Sequence, residues 1–266
     1  MESSDLTDFV RRHDPDRFLC ALFAPAAARP ALFALIALNH ELARAREVTT
    51  NPIAALIRLQ WWRDAVEEAA GKPPRRHEVA GPLHAAITSG ALAPRDLLGL
   101  IDAREIEAEE EGIPTRQSFG AYLRAGAGGL ALAMAGVLRV PEEAWPAVQR
   151  QGAFQGLAGC LRNLHAHAAQ GRCLLPRDAL AEAGLSAEAV IADPSRAAPL
   201  CAALAEEGAL ALAAEAPLPR AAMPLALGFR LAERDLRRLA AGKPVPSPRP
   251  VADKIALAWA GLRGRL

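Results

Sequence analysis

Residues 151–176 read QGAFQGLAGCLRNLHAHAAQGRCLLP. The first half is apolar and rich in small residues, which suits a helix packed closely against a neighbour. The stretch then turns polar at Arg162 and Asn163, carries His165 and His167, and closes on Gly171-Arg172-Cys173-Leu174-Leu175-Pro176. Asn163 and His167 are four apart, so on a helix they share one face, one turn from each other. This is the spacing of a paired-ligand motif. An amide and an imidazole are, however, not the oxygen-rich pair that a hard cation selects.

The flanking chain predicts helix almost throughout. Ala and Leu dominate, Val, Ile, Thr and Tyr are scarce, and no useful period-2 alternation or fixed repeat occurs. Leu6 to Ala24 reads as a helix interrupted at Asp14-Pro15, and Pro30 opens a helix over 31–48. Leu32, Leu35, Ile36, Leu38 and Leu42 form the apolar side of that helix, leaving Asn39, His40, Arg46 and Glu47 as its polar strip. Further helices are predicted over 52–70, 79–88, 94–111, 119–140, 177–183, 195–216 and 219–241, punctuated by Pro and Gly. Gly126, Gly128, Gly129 and Gly136 within 119–140 point to close helix packing or to a cavity wall. Residues 242–250, GKPVPSPRP, read as a Pro-rich linker before a basic amphipathic helix over 251–266. The sum is an all-α chain with one domain over 1–266.

Composition excludes several classes. The chain has 266 residues, is 52% hydrophobic and 23% charged, and carries a net charge of +1, so it is neither disordered nor built for nucleic acid. The four cysteines are scattered in apolar surroundings without a CxxC pair and read as buried reduced thiols. The polar, acidic N-terminus lacks the pattern of a secretory signal. The longest uncharged apolar run, 125–138, is shorter than the ~18–20 residues of a membrane span. A cytoplasmic protein is expected, peripheral at the inner face of a membrane if its last helix makes contact. Glu105, Glu107, Glu109, Glu110 and Glu111 form an acidic run, read as a solvated helix face rather than a metal site.

Three stretches carry a resemblance. RFLCALFAPAAARPALFALIALNHELARARE, LIRLQWWRDAVEE with HEVAGPL, and LAGCLRNLHAHAAQGRCLLP together resemble the squalene/phytoene synthase family. Tyr122 with the glycines after it, and the Pro-rich segment followed by Lys254, fit the same pattern. The resemblance implies a single helical bundle of the trans-isoprenyl diphosphate synthase, or terpenoid synthase-like, type with a central cavity. It also implies two Asp-rich motifs that hold Mg²⁺ against a diphosphate leaving group, because dense negative charge must be neutralised before the C–O bond ionises.

Those motifs fall on degenerate positions. The first lands on Ala43, Arg44 and Glu47, with Ala43 where the leading Asp belongs; the second lands on Asn163 and His167. The frame around the second, Arg162, Gly171, Arg172, Leu175 and Pro176, is intact. No metal site and no cofactor is therefore expected, with Mg²⁺ required only if the chain retains prenyl transfer. The pattern is most similar to a divergent branch of the family that includes a mitochondrial assembly factor of respiratory complex I. That likeness implies a non-catalytic assembly, scaffold or lipid-binding role, with a respiratory-complex subunit or an isoprenoid lipid as partner. The competing expectation is a divergent prenyl transferase acting on isoprenoid diphosphates.

Arg44, Arg46, Arg162 and Arg172 are the candidate anion-binding groups. For Arg44 and Arg46 a solvated face, or a pair with Glu41 or Glu47, is the alternative. Tyr122, Gly126 and Gly129 are the candidate cavity wall. In the last helix Val251, Ile255, Trp259 and Leu262 recur at helical spacing beside Lys254, Arg263 and Arg265, which suits a membrane-surface helix or one docked on the protein body.

Overall fold

A computed structural model describes residues 3–49, 51–108 and 112–263; Glu109, Glu110, Glu111 and residues 264–266 lie outside the described residues. The described residues are helices and turns without a strand. In chain order the α-helices are α1 (Ser3–His13), α2 (Pro15–Ala21), α3 (Arg29–Glu47), α4 (Pro52–Glu67), α5 (Ala80–Thr88), α6 (Pro94–Glu105), α7 (Arg116–Leu123) and α8 (Gly129–Val137). They continue as α9 (Trp145–Arg162), α10 (Leu164–Ala169), α11 (Arg177–Glu182), α12 (Ala187–Ala192), α13 (Ala198–Ala213), α14 (Met223–Ala240) and α15 (Val251–Arg263). Proline stands in the first turn of α2, α3, α4, α6, α9, α13 and α14, where its missing N–H leaves no helical bond unmade. Asn51 caps α4 by accepting from the Ile53 N–H, and Thr115 and Ser118 form a reciprocal box at the start of α7.

Helix α3 is the axis of the core. Leu32, Leu35, Ile36 and Leu38 are fully buried, and the side expected to be apolar is the side that packs. Burying one such side chain contributes roughly 1.5–3 kcal/mol. One apolar cluster runs from α1 to α14, and a smaller one joins Cys20, Met223, Leu227 and Leu231 to Leu257 of α15.

The glycines serve both of the purposes expected of them. Between α7 and α8 the chain widens into a π-helical turn over Arg124–Gly128, a local wide turn of the kind found at functional sites. Helix α9 crosses this turn and the first turn of α8 at very short range: a Cβ at Gly152 would stand 2.7 Å from the Ala131 Cβ of α8, and one at Gly156 2.7 Å from the Ala127 Cβ of the π turn. Gly126 faces the cavity, but Gly129 does not; it lies against Leu100 of α6. The expected wall position at Gly129 is therefore a helix-packing position.

Two further differences from expectation have a local cause. The helix through 151–169 breaks at Asn163, whose φ/ψ of −95°/13° ends α9 and starts α10. The His167 N–H still donates to the Asn163 carbonyl at 2.9 Å, so the one-turn offset survives the break. Residues 187–192, left unassigned by pattern, form α12, capped by the Ser186 hydroxyl. Six residues hold too little periodicity to register.

Candidate functional site

A cavity of about 550 Å³ opens among α3, α7, the π turn, α9, α10 and α14. Its volume is within the ~300–1,000 Å³ of small-molecule sites. Leu123, Gly126, Ala127, Leu130, Gly156 and Leu231 give it an apolar wall. Ala43, Glu47, Tyr122, Arg162, Asn163, His167 and Arg172 also line it, so most of the residues singled out by pattern converge here. Arg44 and Arg46 do not line it. Arg44 donates to the buried Glu41 at 3.0 Å, and Arg46 donates to the Glu107 carbonyl at 3.1 Å. The anion-binding role expected of these two arginines is corrected accordingly: Arg44 forms the alternative ion pair, and Arg46 braces a turn.

Glu107 lies furthest from its expected place. It was expected on a solvated acidic face, and its side chain is only 5% exposed. The 3₁₀ turn Ile106–Ala108 after α6 rotates it inward. Arg104 Nη1 donates to its Oε1 at 2.6 Å, the Tyr122 hydroxyl donates to the same oxygen at 2.7 Å, and Arg172 Nη1 donates to Oε2 at 3.1 Å. Arg104 also donates to Asn39 Oδ1 at 3.1 Å and Arg172 to Gln170 Oε1 at 2.6 Å. The network ties α3, α6, α7 and the turn after α10 together. Burial alone would raise the Glu107 pKa, but Arg104, Tyr122 and Arg172 hold it below the usual carboxylate value. Burial raises Tyr122 well above its ordinary value, with the Glu107 charge adding to it, so the phenol stays a donor. Burial, then Glu107, push the nearby Cys160 thiol up to about 12, which makes it inert as a nucleophile near neutral pH.

A second charged cluster covers another wall. Residues 245–249, read as linker, line the cavity. Arg249 donates to both Asp235 oxygens at 2.8 and 2.6 Å and to Asp16 Oδ2 at 2.6 Å. Arg162 donates to Asp235 at 3.4 Å. Asp14 is held by Arg17 at 2.6 Å. Lys254, at the start of α15, completes the rim.

The fit of this lining to Mg²⁺ can be judged from its donors. Ala43 offers no ligand, Asn163 a neutral amide, and His167 a nitrogen softer than Mg²⁺ selects. Of the cavity's carboxylates, Asp14, Asp16, Glu107 and Asp235 are each already neutralised by arginine. Among the described residues no group of three or more His, Cys, Asp or Glu could hold a metal ion. These residues do not fit a Mg²⁺ cluster.

Burial, followed by the Arg172 charge, lowers the His167 pKa from 6.5 to about 4. The unfolded chain then binds a proton between these values that the folded chain refuses, so stability is complete above pH 6.5 and falls as pH drops toward 4. Wild type is expected to lose ~1–2 kcal/mol more than His167→Gln between pH 7 and pH 5. Urea denaturation of both chains at the two pH values checks this; parallel losses would mean that the imidazole is freely solvated.

Comparison with known proteins matches the architecture to a named family. A family model for squalene/phytoene synthase matches residues 10–255, and the chain belongs to that family. Mouse NADH dehydrogenase (ubiquinone) complex I, assembly factor 6 is 30% identical over 182 residues, which is 68% of this chain and 55% of the mouse protein. The human protein of the same name is 28% identical over the same shares. The chain thus spans about half the length of these relatives. Two crystal structures share the fold. Squalene synthase HpnC from Alicyclobacillus acidocaldarius superposes with a TM-score of 0.69 at 19% identity, covering 91% of this chain and 95% of its own. A dehydrosqualene synthase in complex with ligand superposes with a TM-score of 0.71 at 13% identity, covering 98% and 95%. The terpenoid synthase-like all-α fold follows.

Proposed function

We propose that this chain is a non-catalytic member of the family that assists assembly of a respiratory NADH dehydrogenase and keeps its cavity for an isoprenoid-like or other amphiphilic lipid. The observation that carries the reading is the state of the cavity's carboxylates. A synthase needs several free carboxylates to gather Mg²⁺ on a diphosphate. Here four of them are clamped by Arg17, Arg104, Arg162, Arg172 and Arg249. Freeing Glu107 would leave the buried Arg172 without a carboxylate partner, which is costly. The apolar wall, by contrast, is unchanged by this clamping and suits a chain-like ligand. The relatives named as complex I assembly factors support the assembly role, and the chain would work at the inner face of a membrane.

Deleting the gene in its own host and measuring assembled NADH dehydrogenase on native gels tests the role. Assembly is expected to fall and to return with wild type and equally with Glu47→Gln, which removes the remaining carboxylate of the first motif. Release of pyrophosphate from farnesyl diphosphate plus Mg²⁺ by the purified protein would instead establish a divergent prenyl transferase.

A further inference from the structure

Helix α15 is docked by one side and bare on the other. Leu257 is buried among Met223, Leu227 and Leu231 of α14 and Cys20 of α2, and a side chain at Gly261 would run into the Phe23 ring. The opposite side carries Val251, Ile255, Trp259 and Leu262, which are 68%, 63%, 56% and 76% exposed. Leu22, beside Phe23 where α15 lands, is exposed as well. A helix that served only to cover the body would need the Leu257 side and nothing more.

The charges around the stripe identify what covers it. At 3.6 residues per turn, Lys254 and Arg263 fall on its two borders. The helix's acidic group, Asp253, is taken up by Arg234 at 3.3 Å. The Arg263 guanidinium lies 4.4 Å over the Trp259 ring, which places a cation at the depth of the indole. Apolar side chains with an indole at their edge and cations on both flanks match the boundary between lipid headgroups and acyl chains. None of the described helices is long and apolar enough to cross a membrane, so such a contact lies in the plane of the surface.

We propose that α15 docks flat on a bilayer surface containing anionic lipid, with the Val251–Leu262 stripe entering the headgroup region and Lys254 and Arg263 meeting lipid phosphates. Lys254 also lines the cavity, and residues 245–249 of its wall lead directly into α15. Docking therefore seats the rim of the cavity against the leaflet. Docking of α15 does not depend on the assembly role.

Vesicle flotation of the whole chain tests it. Wild type is expected to float with phosphatidylcholine vesicles containing about 30% phosphatidylglycerol, and to leave them as salt is raised. The double variant Ile255→Ser/Trp259→Ser is expected to lose about tenfold or more of that partitioning, and Arg263→Glu several-fold. Leu210→Ser, at an equally exposed leucine on α13, should bind as wild type. Unchanged thermal melts keep folding out of the comparison. As a second readout, a nitroxide at Ile255→Cys should become oxygen-accessible on vesicles. Wild type that fails to float, or stripe variants that float as well as wild type, would overturn the proposal. So would light scattering that shows a wild-type dimer split by the double variant, because a second copy would then cover the stripe.

Discussion

Glu107→Gln is expected to cost about 3–5 kcal/mol of folding stability, the range for removing one member of a buried ion pair. The carboxylate neutralises two guanidinium groups at once, on Arg104 and Arg172, and accepts from Tyr122 as well. Glutamine has one acceptor oxygen in place of two and no charge. It leaves two cations facing each other where the side chain is 5% exposed. For a chain of this length the loss corresponds to a fall in Tm of roughly 10 °C. Urea and thermal denaturation measure it directly. Arg172→Gln should couple strongly with Glu107→Gln, so that the double variant is less damaged than the sum of the singles. A loss below about 1 kcal/mol for Glu107→Gln would mean that water already solvates the network. The same network adds a pH dependence of the same sign as that of His167. The Glu107 pKa is held down, so its contribution is whole above the ordinary carboxylate pKa and is lost as pH falls through the folded value.

Asp235→Ala is expected to cost about 2–4 kcal/mol, less than a fully buried pair because Arg249 keeps Asp16 as a second partner. Here the site of the damage is as informative as its size. Asp235 is 3% exposed on α14 and is the bidentate anchor of Arg249 in the 245–249 wall segment. Without it the arginine becomes a cation with half its partners, and the segment peels before the helices melt. Amide hydrogen exchange at 243, 245, 247 and 249 should rise, while α3 and α9 keep their protection. Unaltered protection of the segment would show that proline packing, and not the arginine anchor, holds this wall in place.

How far the cavity could be foreseen depends on the range of each contact. The frame of residues 151–176 was legible because its information is local: small residues for close packing, a polar turn, then Gly171-Arg172 and Leu175-Pro176. The same holds for α3, whose apolar spacing named Leu32, Leu35, Ile36 and Leu38 as core. Glu107 could not be read this way. It sits in a run of glutamates that looks solvated, and its partners Tyr122 and Arg172 stand 15 and 65 residues away. Arg249 is further still from Asp16, 233 residues along the chain, inside a proline-rich segment whose composition speaks only of a linker. Arg44 and Arg46 err in the opposite sense. Each reads from sequence either as an anion ligand or as part of a solvated or ion-paired face, and the direction of its side chain on α3 takes it away from the cavity.

Periodicity, Pro and Gly punctuation and the three family-like stretches were therefore sufficient to determine an all-α bundle of this family. They act through neighbours within a turn or two, and one chain read in order contains all of that. Which of the remaining charges neutralise one another, which glycine faces the cavity, and which side of α15 stays bare were decided by tertiary structure alone. A charge is buried or exposed according to what the fold brings against it, and those groups come from distant parts of the chain.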